Sequence, residues 1–531
     1  MSENISSENF LENLLSRKKK ILCDIVPTGN IAEDKVLIPK IIAQTVGQHE
    51  ANRALYERDE QYYYNVTNVL GKTKTQQPDI NNKISINYAQ IAVETIDGYC
   101  FSQPMSVSSR NSDKTVQDEI KALKDAMKND NYGQKTKQVT QKSGLYSVSY
   151  KLITNPTEKD KENGVYFRSY STLDPKCTYM VYANTIEQED SCCINYYSKK
   201  FYNKDGSYRT TATVYTVWTK WHKWEFYKTA GKWVNITPMK IIDNTPIVFE
   251  AEEYGEYAKG IIPVVPYIRK NDLTNDFELG YPLIDAINTL ASSRLDGVQE
   301  IVDYLLVMRD IDTSGEALND LKTSIKNGIL SFRSIPRAIV QPEVKKLDMT
   351  MDQQQIQALQ DYLVKELEQV LCIPSRETRG SSGDTGLAVE SRAGYRALAN
   401  IAGEVISNTM LAENKCLELI LAIGKNYSAC PYRDIKLSDI EINDNCNRAE
   451  NMLTSANAYN VMKSSGMADR LALEKSRLSS DSLSDAEENL KYQKQQMELQ
   501  QKYNAKLSAE KQVSVKKDAS ENGSNDRNVE E

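Results

Sequence analysis

The part of the sequence that most resembles a ligand-binding loop is the glycine-rich stretch TRGSSGDTGLAVESR. Serines and an aspartate separate its three evenly spaced glycines, Gly380, Gly383 and Gly386. Backbone amides of such loops can cradle phosphate groups, but a Walker loop also needs a lysine followed by Ser or Thr. No lysine occurs between Leu367 and Lys415, and an amphipathic helical pattern rather than a buried strand precedes the stretch. The sequence therefore argues against a nucleotide site.

The sequence also contains few residues in arrangements that are typical of other catalytic sites. Only two histidines occur, His49 and His222, and they lie far apart in the sequence. The nine cysteines form no CxxC motif, which favours reduced structural thiols. The carboxylates Glu187, Glu189 and Asp190 cluster in a segment that has the composition of a solvated turn. We therefore expect a protein that is not an enzyme and has no metal or cofactor.

The length and net charge of the chain further limit the kinds of protein that it can be. The chain has 531 residues, of which 26% are charged and 40% hydrophobic, so several folded domains are expected. No stretch reaches the roughly 18 apolar residues of a membrane span, and the N-terminus lacks a signal-peptide core. We therefore expect no membrane partner and a location in the cytoplasm where the chain is made. A net charge of −7 also disfavours a protein that grips nucleic acid over its whole surface.

The predicted secondary-structure elements divide the chain into helical and β-rich regions. Helical patterns cover 38–66, 83–101 and 114–130. From about residue 145 to 250, β-branched and aromatic runs alternate with turn signals, which predicts an antiparallel β region. His222 falls in one of these strands, where a packing role is expected.

Long helices follow the β region. The patterns predict helices over 276–309, 351–371 and 387–425, with a small mixed α/β segment at 310–350 between the first two. The first two helices each carry one continuous apolar stripe, which one compact subunit could not cover. Beyond a lone strand pattern at 434–444, helices are predicted over 447–510 and a disordered tail over 511–531.

Several segments, in order, resemble the portal proteins of tailed bacteriophages, especially the type found in siphophages of Gram-positive hosts. GIIPVVPYIRKND followed by DFELGYPLIDAIN resembles the family's entry into its first stem helix. SGDTGLAVESR is similar to the segment after the second stem helix, and SSGMADR resembles part of the C-terminal region. The resemblance covers roughly residues 20–490.

The resemblance implies an α+β, portal-like fold with a β-rich wing, a long-helix stem, a small α/β clip and a helical C-terminal crown. The implied divisions are an N-terminal arm (1–24), a wing (25–270 with 426–445), stem helices (271–307 and 351–372), a clip (308–350), a tunnel loop (373–386), a long tunnel or wing helix (387–425), a crown (446–510) and the tail (511–531).

The resemblance also assigns candidate residues. The tunnel loop would face the DNA channel through Arg376, Arg379, Gly380, Ser381, Ser382, Gly383, Asp384 and Gly386. The two arginines could touch phosphates, or could equally pair with Glu377 or a neighbouring subunit. The clip would dock the packaging motor through Lys322, Lys326, Arg333, Arg337, Lys345 and Lys346. The stems would pack through Ile287, Leu295, Val298, Val302, Leu359 and Leu363.

The implied function is a channel at one capsid vertex of the virion, assembled in the host cytoplasm, through which the genome is packaged and ejected. The implied partners are further copies in a ring of about twelve, double-stranded DNA, the terminase large subunit, the head–tail adaptor, and the major capsid and scaffolding proteins. Two alternatives remain open: a non-viral helical scaffold or adaptor, and a cytosolic nucleotide-binding hydrolase.

Overall fold

The structure is a computed structural model. It describes residues 17–74, 79–111, 113–202, 208–229, 231–236, 239–242, 245–248, 252–253, 260–302, 306–309, 316, 319–320, 323, 343–346, 353–375, 394–444, 452–476, 478 and 482–522.

The α-helices within these residues range in length from five residues to 41. They are α1 (Ile31–Tyr63), α2 (Tyr88–Cys100), α3 (Lys114–Asn129), α4 (Tyr132–Tyr146), α5 (Glu158–Glu162), α6 (Tyr281–Val302), α7 (Gln353–Val370), α8 (Tyr395–Gly424), α9 (Met452–Ser464), α10 (Asp469–Ser476) and α11 (Ser482–Asn522).

The strands lie mostly between α4 and α6. They are β1 (Ile21–Cys23), β2 (Ser106–Ser109), β3 (Val148–Thr154), β4 (Arg168–Tyr170), β5 (Thr178–Ala183), β6 (Asp190–Tyr202), β7 (Tyr208–Thr219), β8 (His222–Thr229), β9 (Lys232–Asn235), β10 (Met239–Ile242), β11 (Thr245–Val248), β12 (Glu252–Glu253), β13 (Val264–Ile268), β14 (Leu306–Arg309), β15 (Glu343–Lys346) and β16 (Ile440–Asn443).

The largest sheet has the order β1-β5-β6-β7-β8-β12, with β9 paired to β8. Its strand β8 alternates buried and half-buried residues, so that Trp224 and Phe226 point into a core shared with α1. All of its pairs are antiparallel except β1 with β5, where Ile21 lies opposite Val181. The antiparallel β region expected from the sequence is therefore confirmed, with a parallel edge strand added.

A second layer joins distant parts of the chain. The sheet β13-β3-β4 packs against α8, and β2 pairs with β16 in antiparallel register. Apolar residues of α3, α8 and these strands share one core, whose α8 members include Leu417 and Ile420. We call residues 17–270 together with 394–444 the body.

Several predicted boundaries were wrong. The helix predicted from 38 begins at Ile31, because the Asn30 side chain accepts a hydrogen bond from the Ala32 amide and caps it. The helix predicted over 276–309 is shorter: α6 covers Tyr281–Val302, and β14 occupies Leu306–Arg309, where pairing with β15 prevails over the apolar stripe.

The last long helices also differ from their predictions. Of the helix predicted over 387–425, residues 387–393 lie outside the described residues. α8 covers Tyr395–Gly424, and Gly394 before it has a φ of +84° and is not helical. α11 continues to Asn522, so 511–522 is helical where the sequence predicted a disordered tail. The breaks predicted near SSGMADR and SSDSLSDAEE are confirmed between α9, α10 and α11.

Candidate functional site

The feature with the clearest functional geometry is an antiparallel hairpin of α6 and α7. At its base, Gly280 lies so close to α7 that a Cβ there would come within 2.9 Å of Leu367 Cδ1. Farther along, the Arg294 guanidinium donates hydrogen bonds to the side-chain oxygens of Gln357 and Gln360. The two contacts fix the helices side by side in opposite directions.

The apolar residues of this hairpin are mostly buried at its base and exposed in its outer half, although Val370 at the base end of α7 is 41% exposed. Ile284, Ile287 and Leu367 are buried in the core of the body. Leu295, Val298 and Leu359 are 38%, 41% and 48% exposed. Apolar side chains exposed along one side of a helix pair are available for contact with another molecule.

The predicted stem residues therefore fall into different groups. Leu295, Val298 and Leu359 lie on the exposed half. Ile287 is buried, and Leu363 packs against the same core, so both belong to the fold of one chain. Val302 ends α6, and its side chain lies outside the described residues.

The polar side of α6 is bound to the segment that joins α1 to α2. Asp296 accepts from Lys72 Nζ at 2.8 Å and from the Asn82 amide at 2.7 Å. Burial on its own would raise the pKa of Asp296, but these hydrogen bonds outweigh it and lower the pKa. The Ile84 amide donates to Ser292 Oγ at 2.8 Å, which extends the attachment. One side of the hairpin is thus held to the body along most of α6.

Buried ion pairs fix the hairpin base. Lys18 Nζ lies 2.7 Å from Asp59 and 3.0 Å from Glu278, and Arg58 also reaches Glu278 at 3.0 Å. The Tyr281 hydroxyl donates to Asp59 at 2.5 Å. A buried charge is stable only with its partners in place, so this cluster fixes where α6 leaves the body.

A second cluster lies immediately before α6. Arg269 is buried and contacts Asp276 at 2.5 Å and Asp97 at 2.8 Å. Burial would lower the Arg269 pKa, but the two carboxylates raise it on balance, so the guanidinium stays charged. Burial raises the pKa of Asp97 despite Arg269.

A third cluster lies within the body. Glu413 on α8 accepts from Lys151 Nζ at 3.0 Å, Tyr132 Oη at 2.6 Å and Tyr267 Oη at 2.7 Å. Burial would raise the Glu413 pKa, but Lys151 and the two hydroxyls lower it overall.

Sequence reasoning missed all three clusters. One signal was available: Glu413 and Lys151 occupy positions of the buried α8 stripe and of the β3 strand, where apolar residues are expected. Charges at such positions need buried partners.

The outer end of the hairpin is the short β14–β15 ribbon, in which Val307 lies opposite Lys345 and Leu306 opposite Lys346. The backbones of Lys345 and Lys346 are therefore placed beyond the helices, while Lys322, Lys326, Arg333 and Arg337 lie outside the described residues.

The glycine-rich loop also lies outside the described residues, including Arg376, Arg379, Gly380, Ser381, Ser382, Gly383, Asp384 and Gly386. Its two ends are described, and they meet: a Cβ on Gly394 would lie 3.8 Å from Pro374 Cα. Residues 376–393 therefore leave from and return to one point beside the end of α7.

The two histidines and two of the clustered carboxylates, which were the candidates for catalysis, are engaged in packing or in ion pairs. His49 is buried and stacks on Tyr179 with ring centroids 4.4 Å apart, and burial lowers its pKa to about 4. His222 packs beside Trp224 in β8. Glu189 and Asp190 pair with Lys220 and Lys415.

The eight described cysteines are free thiols. In the described part of the chain, no group of His, Cys, Asp and Glu is arranged to hold a metal ion. Nor does a helix of that part combine the length and apolar character needed to cross a membrane.

Comparison with known families adds one finding. The chain matches the family described as phage portal protein, SPP1 Gp6-like, over residues 43–503. No individual curated protein matches it.

Proposed function

Because the chain belongs to the SPP1 Gp6-like family of phage portal proteins, we propose that it forms a ring-shaped channel at one capsid vertex, through which double-stranded DNA is packaged and ejected. Proteins of this family are structural components of the phage capsid rather than enzymes, and membership implies a homo-oligomeric ring associated with DNA. The match does not favour the scaffold or hydrolase alternative.

The observation that carries the proposal is the divided stripe of the α6–α7 hairpin. Its base is buried in its own chain, whereas Leu295, Val298 and Leu359 remain exposed. In a ring every subunit meets its two neighbours through two different surfaces, so the exposed stripe would supply one side of each contact and another surface of the adjacent chain the other side. These residues would form the contact between adjacent stems.

The test is the mass of the purified particle. A ring of about twelve chains of 60.1 kDa has a mass of several hundred kilodaltons, whereas either alternative predicts a monomer or dimer. Val298→Glu and Leu359→Glu place charges on the exposed half and should reduce the particle to single chains with unchanged far-ultraviolet circular dichroism.

A matched control is Ile186→Glu. Ile186 is 99% exposed in the turn between β5 and β6 and belongs to neither helix of the hairpin, so this change adds the same charge outside the proposed stem. It should leave the ring intact. Rings of full mass from both stem variants in light scattering and electron microscopy would contradict the stem assignment.

The ends of the hairpin have proposed roles of their own. The segment 308–350 would be the clip that docks the terminase large subunit and later the head–tail adaptor, with its lysines and arginines facing acidic surfaces or entering DNA. The segment 373–386 would be the tunnel loop. Its support is position: its first residues follow α7, and Gly394, eight residues beyond its last residue, lies back beside Pro374.

A further inference from the structure

The segment that joins α1 to α2 exposes apolar residues beside the hairpin. We call this segment, residues 64–87, the connector; its residues 75–78 lie outside the described residues. Tyr64, Val66 and Leu70 of the connector are exposed, and we call them the connector flank. Large apolar side chains grouped on a surface commonly mark a contact with another molecule.

The connector and α7 lie on opposite sides of α6. Ser292 and Asp296 of α6 bind the connector. Arg294, which lies between them in the sequence, binds α7. Two residues of an α-helix correspond to a rotation of about 200°, so these contacts point in nearly opposite directions. The order across this part of the molecule is therefore connector, α6, α7.

The side of α7 that faces away from α6 is also apolar and exposed. Gln357 and Gln360 face α6, because both accept hydrogen bonds from Arg294. Leu359 and Tyr362 each follow one of these glutamines by two residues, and the same rotation points them away from α6. Both are exposed, and we call them the α7 flank.

The two flanks lie at the same level along the hairpin. Leu70 lies between connector residues that bind Asp285 and Asp296, so it is beside the middle of α6. Leu359 lies in the turn of α7 that Arg294 contacts, within the same stretch of α6. A closed ring relates its chains by rotation without a shift along the axis. Flanks at one level therefore meet when the hairpin runs along that axis.

The surroundings of the flanks carry opposite net charge. The connector has three lysines and one aspartate, a net charge of +2, and pairing of Lys72 with Asp296 of α6 leaves +1. α7 has one lysine, one aspartate and two glutamates, a net charge of −2. Opposite charge around two apolar patches favours their association in one register.

α11 is the competing partner for the α7 flank, because it also exposes large apolar residues, namely Leu490, Tyr492, Met497, Leu499 and Tyr503. Residues 482–503 of α11 contain four acidic residues and three lysines, a net charge of −1. This charge has the same sign as that of α7, so the connector is the better match.

We propose that the α7 flank of one chain packs against the connector flank of the next copy, so that each connector lies between two hairpins around the ring. This inference rests on the proposed ring and deepens it, because it names the second of the two different surfaces that a ring contact needs. Within one chain α6 separates the flanks, so they do not meet each other.

Cross-linking in the purified ring tests the contact. In the double variant Leu70→Cys with Tyr362→Cys, a short bis-maleimide should join successive chains, so that denaturing gels show dimers, trimers and larger covalent species. The parent and each single variant give the background from the nine native cysteines. A ring of full mass whose double variant links no more than this background would overturn the proposal and leave the ring standing. A parent with the mass of a monomer or dimer would overturn both.

Two further arms test the direction of the contact and the choice of partner. Rings that mix chains carrying only Leu70→Cys with chains carrying only Tyr362→Cys should yield covalent dimers of one chain of each kind. Links between two Leu70→Cys chains would indicate a two-fold contact and overturn the head-to-tail arrangement. Tyr362→Cys with Tyr492→Cys places the second thiol on α11 and should not exceed the background. Stronger links there than with Leu70→Cys would overturn the connector as the partner.

Lys83→Glu tests the contribution of charge. Lys83 is exposed and donates to the carbonyl oxygen of Leu70, so it lies beside the connector flank. Reversing its charge should slow ring assembly several-fold at low salt and less at high salt. The matched control, Lys121→Glu, reverses an exposed lysine of α3 and should assemble at the rate of the parent. Equal rates for the two variants would overturn the charge match.

Discussion

Gly144 lies where α4 passes beside the Arg269–Asp276 ion pair. A Cβ at this position would come within 2.9 Å of Asp276 Oδ2 and 2.9 Å of Val93 Cγ1. Gly144→Ala should therefore lower the free energy of unfolding by about 1–3 kcal/mol, since overpacking outweighs the gain in helix propensity. Chemical denaturation of single subunits, outside any ring, measures this change in the free energy of unfolding.

The control for this prediction is another helical glycine. A Cβ on Gly403 of α8 would meet no atom within 4 Å. Gly403→Ala should raise the free energy of unfolding by about 0.5–1 kcal/mol, because alanine favours the helix. A similar sign for both substitutions would mean that the packing around Gly144 is looser than the structure shows.

His49 makes the folding stability of the body depend on pH. Its pKa falls from 6.5 to about 4 on folding because the ring is buried, so the unfolded chain binds the proton more tightly between these values. Its contribution to stability is complete above pH 6.5 and is lost as pH falls toward 4. Between pH 7.5 and 5 the loss should be about 2 kcal/mol.

The measurement compares the parent with His49→Phe, which keeps an aromatic ring beside Tyr179 but cannot titrate. Denaturation at the two pH values should show a smaller loss for the variant by that amount. Carboxylates titrate in both proteins and cancel in the comparison. An identical pH dependence would exclude His49 as the source.

At the scale of elements, the sequence predicted some structures well and others poorly for physical reasons. The stripes of α6 and α7 and the alternation of β8 are local patterns, so these elements were predicted with errors only at their ends. α4 was missed because its buried side includes Thr136, Thr140 and Ser143, which do not produce an apolar period.

Pairings between distant segments could not be predicted locally. β2 pairs with β16 although more than 300 residues separate them, and neither strand has an apolar alternation that identifies its partner. The same holds for the ion pairs at the hairpin base. The apolar stripe in the sequence was enough to identify all of the proposed stem residues as candidates. Only the folded structure shows that Ile287 is buried whereas Leu359 is exposed.

The β14–β15 ribbon leads to a prediction for the clip. Lys345→Glu with Lys346→Glu should weaken binding of the terminase large subunit at low salt, with a smaller effect at high salt, because salt screens the attraction between charges on two molecules. Binding of the assembled ring to immobilised motor measures it. The matched control, Lys199→Glu with Lys200→Glu, reverses two adjacent exposed lysines of β6. An equal effect of both pairs would indicate a response to net charge only.

At the scale of the whole molecule, the glycine-rich loop is the part proposed to meet moving DNA. Gly383→Val with Gly386→Val adds β-branched side chains and restricts the backbone. Rings should still assemble, because the exposed stem residues are unchanged, but packaging or retention of a full-length genome should fail. Titre and packaged DNA length measure the effect.

Ser381→Ala provides the control, since it leaves the glycines in place and should package normally. Normal titre and DNA length in the double valine variant would mean that the loop is a passive connector.

The Lys151–Glu413 pair has a consequence for the order in which this protein is made. The two residues lie 262 positions apart, and Lys151 is wholly buried. While a ribosome is still translating the hairpin, β3 has been synthesised but the carboxylate that neutralises Lys151 has not. A nascent chain therefore cannot complete its body until α8 has emerged, and chains truncated before that point should remain bound by chaperones instead of competing with finished subunits during assembly.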